Sequence, residues 1–182
     1  MDKEKINKLL TTLEETEEEL YRELRKEKNK ISCDFFEEKI ALWDYIKKGR
    51  PLVIISAPII YAMIIPAVIM DIFVTIYQAI CFPIYKIPKV KRSEYIKIDR
   101  HHLPYLNALQ KLNCAYCGYF NGLIDYVREI SSRTEQYWCP IRHSTKVKGV
   151  TLRYWHFLQY GDGKDLQKKW KELREELLKE RN

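Results

Sequence analysis

Between Pro51 and Tyr85 the chain carries a single charged side chain, Asp71. The first part of this block, PLVIISAPIIYAMIIPAVIM (51–70), is 20 uncharged residues. As a helix it spans about 30 Å, the thickness of a bilayer's hydrocarbon core. After Asp71 the run IFVTIYQAICFPIY continues to Lys86 with only Thr75 and Gln78 as polar interruptions. The whole block is about 52 Å long as one helix, too long for one upright span and short for two spans with a loop. Charged residues make up 31% of the chain, and nearly all of them lie outside the block. The mean hydropathy of −0.41 is therefore an average of two opposites. This distribution excludes a disordered chain, a collagen-like chain and a disulfide-dense miniprotein.

Flanking charge bears on topology. Lys47, Lys48 and Arg50 precede the block, and Lys86, Lys89, Lys91 and Arg92 follow it. The positive-inside rule keeps both flanks, and hence both termini, on the cytoplasmic side. That predicts a membrane-embedded helical hairpin over 51–85, spanning or re-entrant, with Pro58 and Pro66 as kink points and Asp71 near the turn. The alternative is a pair of buried core helices, although such helices seldom run this long without a polar face. The charged residues in front of the block do not read as a signal peptide. The net charge of +7 fits a basic rim around a membrane segment. No helix-turn-helix, RNA-recognition or Arg-lined helix pattern accompanies it, so nucleic acid is not an expected partner; the lipid bilayer is.

The expected organisation is mainly α: an amphipathic helical arm (1–50), the hairpin (51–85) and a cytoplasmic helical metal-binding unit (86–182). In the arm, Ile6, Leu10, Leu13, Leu20 and Leu24 form a narrow seam, and Leu166, Trp170, Leu173 and Leu177 repeat the pattern near the other end. Each seam packs on the other, on the central helices, or on a second copy as a coiled coil, which makes homo-oligomerisation through the terminal helices one expectation. A further helix is expected over 33–48, with Trp43 and Tyr45 placed as interfacial aromatics.

The segment 101–143 holds the densest chemistry. Cys114 and Cys117 form a C-x2-C pair, and Cys139 with His143 forms C-x3-H. On helices both spacings return to one face, and three thiolates with one imidazole complete a tetrahedral shell suited to zinc. Iron, alone or as an iron–sulfur cluster, suits the same set. Structural cysteines without metal and a thiol or disulfide function are the rival readings. The odd total of five cysteines argues against a complete disulfide framework, and a cytoplasmic setting favours reduced thiols. Cys33 and Cys81 read as small buried residues.

Other residues leave alternatives open. His101 and His102 are candidates to replace or join His143, or else cap an exposed loop before Pro104. His156, among aromatics, reads as a packed imidazole. Glu129 and Glu135 flank an expected SSR turn; they either orient a ligand or serve as base on a metal-bound water, or form ion pairs with Arg128 and Arg133. Asn107, Asn113, Asn121 and Gln136 give the segment a high amide density.

The runs NCAYCGYFNG and RTEQYWCPIRH resemble a family of small bacterial membrane proteins known only as uncharacterised, most closely over 99–143. The resemblance implies membrane association and brings no activity, substrate or cofactor. The function expected from the residues is a membrane-anchored protein with a structural zinc site. The alternative is a membrane-bound metalloenzyme or iron redox protein acting on a lipid-phase substrate.

Overall fold

The computed structural model describes residues 3–31, 40–47 and 49–180. The helices are α1 (Lys3–Ile31), α2 (Leu42–Lys47), α3 (Pro51–Ala62), α4 (Ile64–Tyr85), α5 (Arg92–Tyr95), α6 (Ala108–Trp138) and α7 (Leu166–Lys179), with short 3-10 turns at Arg100–His102 and Leu152–His156. Every regular element among the described residues is helical; the only extended pairing there is an isolated bridge between Ile141 and Leu158. The fold is mainly α. Cys33 and the start of the helix expected over 33–48 lie outside the described residues.

No turn forms at Asp71. The residue lies inside α4, and α3 and α4 are separated only by Met63, whose backbone is itself right-handed helical (φ −63°, ψ −14°). Ile54–Tyr85 is thus one apolar helix of 32 residues, not two arms of a hairpin. Pro66 locates the irregularity at Met63. Without an N–H, Pro66 gives Ala62 no partner one turn on, and the chain tightens so that Met63 N–H donates to Ile60 O (3.2 Å). The far end is closed by Lys86 in the left-handed region (φ 59°), with Ile87 N–H on Phe82 O (2.9 Å) and Lys86 N–H on Pro83 O (3.2 Å). This is a Schellman closure, with Pro83 in the last turn.

Helix α6 is the spine. Its start is fixed by a capping box: Asn107 Oδ1 accepts Gln110 N–H and Gln110 Oε1 accepts Asn107 N–H, each at 2.9 Å. It runs parallel to α3–α4. Tyr61 meets Asn113, Asp71 meets Tyr119, Gln78 meets Tyr126 and Tyr85 packs on Tyr137. Parallel neighbours need a crossover, and residues 86–107 supply it by returning along α6. Pro88 O accepts Arg133 Nη1 (2.8 Å), Tyr95 O lies against Gly122 and Lys97 O against Gly118. A Cβ on Gly122 would stand 2.6 Å from Tyr95 O and 2.8 Å from Ile96 Cα. These glycines therefore admit the crossover backbone.

The core forms where α4, the crossover and the second half of α6 meet: Phe82, Ile87, Val90, Leu123, Tyr126 and Ile130, closed by Leu177 of α7. Gln78 is buried among them and fully engaged. Its Nε2 donates to Val90 O (3.2 Å) and Tyr126 OH (2.9 Å), and its Oε1 accepts Val90 N–H (2.6 Å). In α7, Leu173 and Leu177 are buried and Leu166 and Trp170 half-buried, as the seam predicts. Trp170 Nε1 and Arg174 Nε both donate to Tyr137 O (3.2 and 3.1 Å), using a carbonyl left free in the last turn of α6. On α1, Ile6 and Leu10 are half-buried, whereas Leu13, Leu20 and Leu24 are exposed.

Candidate functional site

The spacing of α4 divides it into two faces. Ala67, Val74, Gln78, Phe82 and their neighbours face α6; Ile65, Ile69, Ile72, Phe73, Ile76, Ile80 and Ile84 face outward and are exposed. On α3, Leu52 and Ile59 are 79% and 74% exposed. Over the most apolar stretch of Ile54–Tyr85, only 6% is buried. The helix is long and apolar enough to cross a membrane. Full burial of an isoleucine or phenylalanine is worth roughly 1.5–3 kcal/mol. A stripe of this length facing water thus forgoes an amount comparable to the ~5–15 kcal/mol net stability of a typical domain.

Asp71, the one charge in the block, is neutralised from another element. Arg92 at the start of α5 forms a forked pair with it (Nε to Oδ1 3.1 Å, Nη2 to Oδ2 2.6 Å), and Tyr119 OH donates to Oδ2 (2.9 Å). The carboxylate side chain is only 13% exposed. It faces the seam between α4 and α6, away from the apolar stripe.

The expected metal ligands are not brought together. Cys114 and Cys117 lie in the first third of α6, and Cys139 follows its last residue. The sequence separation of 22 from Cys117 to Cys139 covers about 33 Å of helix axis at ~1.5 Å per residue, so one ion is not shared by the two pairs. The SSR turn expected between them is absent because Ser131, Ser132 and Arg133 are continuous helix. His143 is exposed, its ring stacked on Tyr154 (6.2 Å between centroids), and its backbone N–H donates to Tyr154 OH (2.7 Å). His101 and His102 sit in a 3-10 turn with rings 3.8 Å apart, near Gly118 and thus at the Cys114 end. Among the described residues no group of three or more His, Cys, Asp or Glu is arranged to hold a metal. Cys114, Cys117, Cys139 and His143 therefore do not form one four-ligand shell in this fold.

Glu129 and Gln136 have structural partners. Glu129 accepts Arg133 Nε (2.8 Å) and Arg153 Nη2 (3.1 Å), and Arg153 also reaches Glu180 on the end of α7. Glu129 thus ties α6, the Leu152–His156 turn and the C-terminal segment. Gln136 belongs to the same network through Leu173 O (2.9 Å) and Arg153. Glu135 stays outside it; partial burial pushes its carboxyl above the usual glutamate range, with the nearby His143 opposing the shift. His156 is exposed, not packed as its aromatic neighbours suggested.

A feature with no single sequence signal lies between α2, α3 and the start of α6: a cavity of about 790 Å3. Leu109, Asn113 and Cys117 line it from one face of α6, Ile54, Ala57 and Tyr61 from one face of α3, and Tyr45, Ile46 and Gly49 from α2 and its exit. Tyr61 OH donates to Asn113 Oδ1, and Tyr116 OH donates to Ile60 O (2.7 Å), so these polar groups at the wall bond within the protein. The helical spacing 109, 113, 117 was the available clue. No family model, curated protein or solved structure matches this chain.

Proposed function

We propose that this is a monotopic membrane protein that uses α3–α4 as an in-plane anchor and holds its charged helices on the cytoplasmic face, with both termini on that side. The observation that carries the reading is the exposed apolar face of the helix Ile54–Tyr85, whose most apolar stretch is only 6% buried. Two further features favour lying in the membrane surface over crossing it. Basic residues flank both ends of the block, which a single crossing would place on opposite sides. Helix α6 also runs beside α4 and carries Asp125, Arg128, Glu129 and Arg133 over the stretch next to α4; an upright α4 would draw these charges toward lipid at several kcal/mol each. Lying flat, α3–α4 faces the acyl chains and α6 faces away from them. The role supported is that of a membrane-surface platform. The metalloenzyme and redox readings rest on a ligand set that this fold keeps apart.

Tags at the two termini of the full chain in native membranes test the topology. The expected result is resistance to alkaline extraction with both tags reachable from the cytoplasmic side. Tags reporting from opposite sides, or release of the chain by alkali, would overturn it.

A further inference from the structure

We infer that the cavity between α2, α3 and α6 takes up one hydrocarbon chain of an anionic amphiphile, a fatty acid or an anionic phospholipid. The inference rests on the membrane-surface reading above and deepens it. The volume of about 790 Å3 falls within the ~300–1,000 Å3 of small-molecule sites. Its wall is dominated by Ile40, Ile46, Ile54, Ala57, Ile60 and Leu109, and the bonds Tyr61–Asn113 and Tyr116–Ile60 O occupy polar groups that a polar ligand would need. The wall therefore rewards hydrocarbon.

Continuity with the membrane face identifies the source. Ile54, Ala57 and Ile60 line the cavity from the same apolar helix on which the adjacent Ile55 and Ile59 are 70% and 74% exposed. A chain can therefore pass from the acyl region into the cavity without crossing a polar surface. The charge beside it identifies the headgroup. Gly49, part of the lining, is followed by the exposed Arg50, and the exposed Lys47 lies two residues earlier, with its Nζ 5.7 Å from the Trp43 ring centroid. An acyl chain in the cavity leaves its anionic head near these cations, at the depth where Trp43 suits an interface. Residues 40–47 are held against α6 by Asn107 Nδ2 donating to Ile40 O (3.5 Å), so the third wall is attached to the α6 N-cap.

The test uses the full chain in mild detergent, delipidated, titrated with the fluorescent fatty acid cis-parinaric acid. The expected result is saturable binding of one probe per chain. Displacement by oleate at lower concentration than by dioleoyl phosphatidylglycerol assigns a free fatty acid, and the reverse order assigns a phospholipid chain. Ala57→Trp fills the cavity and is expected to weaken binding at least tenfold, whereas Ile84→Trp, on the outer face of α4, leaves it unchanged. If Ala57→Trp fails to fold by circular dichroism, Cys117→Phe fills the cavity from α6 and decides. Absence of saturable binding, or equal binding by wild type and the filled variant, overturns the inference. Sedimentation with vesicles is measured in parallel. A wild-type chain that sediments but binds no probe refutes the cavity assignment alone, and one that does not sediment refutes the membrane reading itself.

Discussion

The guanidinium of Arg92 grips both carboxylate oxygens of Asp71 across 21 residues of sequence, at 3.1 and 2.6 Å. This pair lets one charge sit inside a helix that is otherwise apolar from Pro51 to Tyr85. Arg92→Ala strands a carboxylate whose side chain is only 13% exposed. Arg92 itself is 46% exposed, so water offsets part of the loss, and the expected destabilisation is about 1–3 kcal/mol, the range for leaving a buried polar group without its partner. Adding Asp71→Asn recovers part of it. Thermal unfolding of the four proteins of this double-mutant cycle in lipid vesicles checks the coupling; additive effects would show that the pair does not act as a unit.

Gly122 is where the crossover backbone lies against α6. Gly122→Ala places a methyl 2.6 Å from Tyr95 O, a backbone atom that cannot rotate away. It is expected to cost about 1–3 kcal/mol by overpacking. Gly163→Ala, with nothing within 4 Å of the added Cβ, is the comparison and is expected to be near neutral. Denaturant midpoints measure the difference.

Glu135 carries a pH dependence with a definite sign. Its carboxyl is raised by burial in the folded protein, so the folded state holds that proton to higher pH than the unfolded chain does. Its contribution is most favourable below the ordinary glutamate range and is lost as pH rises through the folded value. Glu135→Gln removes the penalty. The variant is expected to melt higher than wild type near neutral pH and to lose that advantage in acid below the unfolded glutamate value. An advantage that does not change with pH would contradict the assignment.

The 33 Å or so between Cys117 and Cys139 along α6 bears on metal content. Protein purified without a metal-affinity tag is expected to carry less than one zinc or iron per chain, and a chelator is expected to leave its melting temperature unchanged. One tightly held metal whose removal unfolds the chain, and which Cys117→Ser and Cys139→Ser each release, would show that α6 does not run unbroken from Ala108 to Trp138.

These results also show what the residues disclosed unaided. The apolar block, the α7 seam and the helical class were legible because burial follows a local period of three to four residues. The hairpin was not. A lone aspartate in an apolar run reads locally as a turn, and the residue that neutralises it, Arg92, is distant in sequence and carries no local mark. The cysteine spacings read as two pairs that each present one helical face; Cys114 and Cys117 do lie on α6, whereas Cys139 to His143 is not helical. They did not show the length of helix between the pairs, because Ser131, Ser132 and Arg133 resemble a turn only until their partners are known. Ser132 Oγ lies 2.6 Å from Thr151 Oγ1, and Arg133 bonds Glu129 and Pro88 O. The crossover that Gly118 and Gly122 admit is likewise a tertiary fact.

The in-plane placement of α3–α4 is tested most directly by depth. Single nitroxide labels at Ile59, Ile72 and Ile84, with Lys97 as reference, are placed on the full chain in vesicles, and their exposure to oxygen and to a water-soluble nickel chelate is compared. The account predicts similar, shallow acyl-chain depths for the first three and an aqueous signal at Lys97. A depth gradient through the bilayer centre from Ile59 to Ile84, or aqueous signals at all three, would contradict it.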